Sequence, residues 1–240
     1  MPDRSTAQPL AVITGAASGI GAATASYLLD RGWRVVGWDR EPGSDPAIAW
    51  TAVDVTDPAA VRTAAAGLEP VRLLVNAAGV GGSGPARDLP PSVWDRVIAT
   101  NLSGTFYVSQ ALHPALSRAG GLVVNLASVT AHRAGRGRAA YATSKAAIRM
   151  LTEVLGLEWA EDGIRVVALS PSYVRTPMVE RALAAGGLDE AAIVRRTPQG
   201  RLLDPAEVAA VIHELTGATF AAVTGSTIRV DGGWTANGDY

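Results

Sequence analysis

Thr14-Gly15-Ala16-Ala17-Ser18-Gly19-Ile20-Gly21 is the stretch on which the reading of this chain turns. The apolar run Leu10–Thr14 before it reads as a buried strand, and Ile20–Leu29 after it has the spacing of a helix. Glycine at such a turn tolerates positive φ, and its missing Cβ lets backbone N–H groups approach a pyrophosphate. The helix N-terminus adds further donors and a dipole suited to an anion. Gly15, Ser18, Gly19, Ile20 and Gly21 are therefore candidate cofactor-binding residues. Asp39 closes the next apolar run, Arg34–Trp38, and lies 18 residues beyond Gly21. That is close to the about 20 residues expected of a carboxylate that binds the adenosine ribose. Such a carboxylate accepts bonds from both ribose hydroxyls and repels a 2′-phosphate. NAD is thus expected over NADP, with the neighbouring Arg40 as the residue that could receive a phosphate instead.

Outward from this turn the pattern repeats. Apolar runs recur at Ile48–Val53, Leu73–Asn76, Leu122–Ala127, Arg165–Leu169 and Thr227–Val230, several with no polar alternation, as in strands covered on both faces. Ala-rich helical patterns separate them, clearest at Val93–Leu116, Tyr141–Ala160 and Pro205–Leu215. Asp57-Pro58 and Asp204-Pro205 are helix starts, and Ser92/Asp95 and Asp204/Glu207 have the spacing of capping boxes. The expectation is an α/β, Rossmann-like, doubly wound parallel sheet of about seven strands with helices on both faces. No linker or repeat divides residues 1–240, so one domain is expected.

Composition removes several alternatives. Net charge is −1 with no basic stripe, which disfavours nucleic acid as a partner. Cysteine is absent, and His113, His132 and His213 lack ligand spacing, so no metal site is expected. The stretch Met1–Pro9 is polar and no long apolar run follows, so a cytoplasmic protein without membrane attachment is expected. Of the 21 basic residues, 20 are Arg and one is Lys, Lys145.

That lone lysine lies four residues after Tyr141 in a helical pattern, on the same face. A phenol titrates near ~10, and an adjacent ammonium favours its ionised form, which suits a proton shuttle. Ser128 ends the fifth strand, where open parallel sheets place ligands, and its hydroxyl could hold a substrate oxygen.

With these residues in this order the chain resembles the short-chain dehydrogenase/reductase family from Leu10 to about Trp234. The matching pieces are the Thr14–Gly21 turn, Asp54, Asn76-Ala77-Ala78-Gly79, Asn101, Ser128, Tyr141/Lys145, Pro171 with Thr176, and Val230-Asp231-Gly232-Gly233. The resemblance implies Tyr141 as general acid/base, Lys145 on the nicotinamide ribose, Ser128 orienting the substrate oxygen, and Asn101 holding a water that links Lys145 to solvent. It implies cofactor contacts from Asp54 and Val55 at the adenine, from Asn76, Ala77 and Gly79 along the groove, and from Pro171, Val174 and Thr176 at the nicotinamide end. It also implies a homotetramer through the Val93–Leu116 and Tyr141–Ala160 helices, with a homodimer as the alternative. One departure stands out: Ser172 follows Pro171 where the family usually has Gly.

The activity implied is interconversion of a secondary alcohol and a ketone on a small-molecule substrate. The alternatives are an NADPH-dependent oxoacyl reductase, which Asp39 disfavours, and an inactive nicotinamide-binding module, which the intact Ser128, Tyr141 and Lys145 disfavour. Substrate choice is expected to rest on Val80–Leu89, Ser128–Arg138 and a lid at 177–203, in which Gly186-Gly187 separates two helical patterns. The region from Ala127 to His132 faintly resembles dehydrogenases of dihydrodiol carboxylates, which points to a cyclic or dihydrodiol-type alcohol. Arg175, Arg181, Arg195, Arg196 and Arg201 outnumber Glu180, Asp189 and Glu190. They read as a solvated helix face, with attraction of an anionic substrate as the alternative.

Overall fold

The computed structural model describes residues 8–238; most of the polar N-terminal stretch, residues 1–7, and positions 239 and 240 lie outside the described residues. Seven strands form one parallel sheet: β1 Leu10–Thr14, β2 Arg34–Asp39, β3 Ile48–Ala52, β4 Leu73–Asn76, β5 Leu122–Leu126, β6 Arg165–Pro171 and β7 Ser226–Val230. Their order is β3-β2-β1-β4-β5-β6-β7, so the winding direction reverses between β1 and β4. A ligand crevice is expected at the carboxyl ends of strands flanking such a reversal.

The helices are α1 Gly19–Leu29, α2 Pro58–Ala65, α3 Pro91–Ile98, α4 Gly104–Ser117, α5 Ala139–Glu158, α6 Pro177–Ala184, α7 Glu190–Arg196 and α8 Pro205–Glu214. Side chains alternate between two cores. Ala11 and Ile13 of β1 pack with Leu28 of α1 and with Val208 and Ile212 of α8. Leu10 and Val12 pack on the other face with Val61 of α2, Leu112 of α4 and Leu155 of α5. Each fully buried Leu or Val contributes roughly 1.5–3 kcal/mol, and β1, β4 and β5 are buried along their whole length. The apolar runs without alternation record this double coverage.

Local signals set most helix starts. Asp57 caps α2 by accepting from Ala59 and Ala60 N–H, and Asp204 with Glu207 closes a complete capping box on α8. The box expected at Ser92 and Asp95 does not form. Pro91, with its fixed φ, starts α3 two residues earlier, which places Ser92 inside the first turn, and Pro90 at the cap makes no side-chain bond. The long helix expected over Val93–Leu116 is likewise two helices, joined by a π-helical turn at Ala99–Ser103 that contains Asn101.

Candidate functional site

A cavity of about 600 Å³ opens at the carboxyl ends of the strands. Its wall includes Gly15, Ser18, Gly19 and Ile20 from the glycine-rich turn, Asp39, Asp54 and Val55 beyond β2 and β3, and Ala77 and Gly79 beyond β4. Ser128, Tyr141 and Lys145 line it beyond β5 and on α5, Pro171 at the end of β6, and Val174 and Thr176 beyond it. Residues up to 166 positions apart in sequence, Gly15 and Arg181, thus share one crevice.

The turn is built by contacts that only glycine permits. Gly15 has φ +66°, and a Cβ there would lie 2.8 Å from Ala78 N. Thr14 Oγ1 accepts from both Ala77 and Ala78 N–H at 3.1 Å, tying the end of β1 to the segment after β4 across the reversal point. Gly21 does not reach the cavity. A Cβ on it would lie 2.2 Å from Gly15 O, so its place is the close packing of helix on turn. Ser18 makes no side-chain capping bond to α1, so the first-turn N–H groups remain open towards the crevice. Asp39 accepts from Ala17 N–H at 3.1 Å and keeps further lone pairs for incoming hydroxyls. A groove-facing helix start with no capping side chain, a turn that a Cβ would fill, and a carboxylate beside it fit a dinucleotide.

At the other end, Ser128 is buried, and its Oγ accepts from Thr130 N–H at 3.2 Å. Lys145 is 6% exposed, its Nζ donates to Leu126 O at 2.6 Å, and it lies 5.7 Å from the Tyr141 ring centroid. Burial pulls the Lys145 ammonium down to about 8. Burial pushes the Tyr141 phenol above its ordinary value, against the pull of a hydrogen bond with Ser128 and of the Arg138 charge. The lowering expected from Lys145 does not prevail here, because desolvating the phenolate outweighs the nearby charges.

Two residues expected at the cavity are structural ties. Asn76 is buried and off the wall; its Nδ2 donates to Ser109 Oγ and Asn125 Oδ1, both at 2.9 Å, linking β4 to α4 and β5. The Asn101 carboxamide binds Val80 N–H at 2.8 Å, Val80 O at 3.1 Å and Ser144 Oγ at 3.1 Å. Both ends of that amide clamp the loop after β4 to α5.

Ser172, in place of the usual glycine, lines the cavity without backbone strain. Among the described residues no non-glycine has positive φ, and Ser172 N–H bonds Val230 O at 3.2 Å. His132 Nε2 lies 2.9 Å from Ser170 Oγ, and burial lowers its pKa. Trp38, Thr56, Arg96, Thr100 and Met178 also line the cavity without having been singled out as site residues, and Arg181, grouped above with the solvated arginines, lines it too. For Met178 and Arg181 the signal was present in their spacing on α6 from Thr176, which caps that helix through Val179 N–H.

The parallel sheet with its reversal-point crevice, and the serine, tyrosine and lysine gathered at one end, define a nucleotide-dependent oxidoreductase of the doubly wound class. A family model described as enoyl-(acyl carrier protein) reductase matches residues 15–235. The chain is 42% identical over 163 residues to an uncharacterized short-chain type dehydrogenase/reductase of Sinorhizobium fredii, covering 68% of this chain and 30% of that protein. It therefore spans less than a third of that relative's length. It is 36% identical over 242 residues to a D-threitol dehydrogenase of Mycolicibacterium smegmatis, covering 94% and 92% of the two chains. The structure of an aldohexose dehydrogenase of Thermoplasma acidophilum superposes with TM-score 0.91 at 28% identity, covering 97% and 96%. The chain belongs to the short-chain dehydrogenase/reductase family.

Proposed function

We propose that the protein interconverts a secondary alcohol and a ketone with NAD in preference to NADP, on a single domain closed by a lid at 177–203. The observation that carries the reaction is the convergence of Ser128, Tyr141 and Lys145 on one wall of the crevice. The glycine-rich turn and Asp39 would hold the dinucleotide, whose nicotinamide would supply hydride acceptance in oxidation and hydride donation in reduction. In oxidation the Tyr141 oxygen takes the hydroxyl proton as the C=O bond forms, and in reduction it gives that proton back. Ser128 Oγ holds the same substrate oxygen beside the phenol, and the Lys145 ammonium is left, by its single bond to Leu126 O, with donors for ribose hydroxyls. The threitol-acting relative supports a hydroxyl-bearing substrate.

Asp39 supports NAD, since a carboxylate at the end of β2 would face a 2′-phosphate with like charge. Cofactor titration with each dinucleotide tests this. NAD binds more tightly than NADP, Asp39→Ser narrows the gap, and a wild-type preference for NADP overturns the assignment. The exposed apolar side chains Phe106 on α4 and Met150, Val154 and Leu157 on α5 support assembly into a homotetramer through these helices, readable by light scattering.

A further inference from the structure

The five arginines that looked like one solvated group are sorted by the fold. Arg175 pairs with Glu180 at 2.9 Å and Glu190 at 2.5 Å, Arg201 pairs with Glu207 at 2.6 Å, and Arg196 lies over the Trp234 ring at 4.0 Å. Those pairs use two of the three acidic residues of the segment, and the third, Asp189, caps α7. Arg181 is the one of the five that lines the cavity, and among the described residues its side chain has no hydrogen bond or ion pair. A second arginine stands three residues before Tyr141. Arg138 donates to Ser83 Oγ at 2.7 Å and weakly to Gly187 O at 3.5 Å, both neutral partners, which joins α5 to the loop after β4 and to the glycine pair between α6 and α7. Arg138 and Arg136 line a second cavity of about 540 Å³ that has no carboxylate in its wall, and the Arg138 charge is close enough to act on the Tyr141 phenol.

Charge is thus distributed unevenly along the crevice. Its lining carboxylates are Asp39 at the end of β2 and Asp54 beyond β3, both in the half where the adenosine belongs, which also holds Arg40. In the half over β4, β5 and β6 the lining is largely apolar, and the charged side chains in it are all cations, Arg96, Lys145 and Arg181. A neutral polyol needs acceptors as well as donors, whereas a guanidinium only donates. An arginine left without a counter-ion in a cleft matches a carboxylate, which takes two parallel N–H bonds from its fork.

We infer that the alcohol oxidised here carries a carboxylate, held by Arg181 and Arg138 while its carbinol carbon lies against Tyr141 and Ser128. The substrate class is a secondary hydroxy acid and the product the corresponding keto acid. The inference rests on the oxidoreductase reading above, and its test does not need turnover. Binding of cyclohexanecarboxylate and of cyclohexanecarboxamide to the NAD-saturated protein is measured by calorimetry. The carboxylate binds about ten-fold or more tightly. Arg181→Gln and Arg138→Gln each reduce that advantage and together erase it, while Arg138→Lys, which keeps the charge without the fork, retains part. Equal binding of the two probes, binding of neither, or an advantage that survives the double substitution overturns the inference. So does a loss of NAD affinity in Arg181→Gln matching its loss of carboxylate affinity, which would give that arginine to the cofactor. A protein that keeps the carboxylate preference yet transfers no hydride from any alcohol would overturn the oxidoreductase reading alone.

Discussion

Lys145 Nζ donates to the carbonyl oxygen of Leu126, 2.6 Å away, and so fixes the α5 ammonium to the end of the strand that leads into Ser128. That one bond sets the spacing of the candidate catalytic groups. Its cost is an ammonium taken out of water with no carboxylate beside it.

The cost predicts a pH-dependent stability. An unfolded lysine titrates near 10.4, and the folded one is held at about 8. The folded state therefore disfavours the proton, and stability falls as pH drops from about 10 towards 8, after which the penalty is complete. Lys145→Met should raise thermal stability at pH 7 by an amount of order 2 kcal/mol, with the gain vanishing above about pH 10. An unchanged or lower Tm at pH 7 would contradict this. The same variant should lose turnover.

Tyr141 gives the complementary pH signature. Burial holds the phenol protonated at neutral pH, so alcohol oxidation, which needs the ionised oxygen, should rise with pH through the alkaline range. Ketone reduction should be favoured at lower pH. Ser128→Ala removes a bond that draws the Tyr141 pKa down and should move the alkaline limb further up. Tyr141→Phe should cost about 10³-fold or more in turnover with NAD affinity kept, and retained turnover would remove the proton-transfer role.

Asn76 separates scaffold from site. Removing its amide leaves Ser109, Asn125 and, through Asn125 Nδ2 at 2.9 Å, Thr152 in an incomplete buried network. Asn76→Ala should destabilise the fold by about 2–4 kcal/mol in urea unfolding while NAD affinity changes little. A selective loss of NAD binding at unchanged stability would return Asn76 to the cofactor groove.

Two glycines with similar backbone angles should behave differently. Gly32 has φ +76° and open space around it, whereas Gly15 has φ +66° and Ala78 N at 2.8 Å from the position of a Cβ. Gly32→Ala should cost about 1 kcal/mol and leave cofactor binding alone. Gly15→Ala must also push the turn away from the segment after β4, so NAD binding should fall by an order of magnitude or more.

The contrast between Asn76 and Tyr141 shows what was legible in the sequence. Strands buried on both faces leave unbroken apolar runs, and Asp57 and Asp204 cap helices through bonds to neighbours two or three residues away, so both kinds of element could be read locally. The turn at Thr14–Gly21 and the Tyr141/Lys145 spacing are local as well. The break at Asn101 leaves no mark, because the apolar pattern of α3 continues into α4 while the amide bonds Val80, 21 residues earlier. Whether Asn76 points into the crevice or between helices depends on Ser109 and Asn125, which no spacing reveals. The arginines around the site could be sorted only once Glu180, Glu190 and Glu207 had been given their partners.

The arginine bias of the chain has a practical consequence. Lys145 is the sole lysine side chain and it is buried in the crevice. An amine-directed reagent small enough to enter therefore finds one side chain to modify, and that one lies beside the candidate proton donor. The rate of acylation at position 145 becomes a direct gauge of how often the crevice admits a visitor, free of the background from surface lysines that obscures such labelling in most proteins.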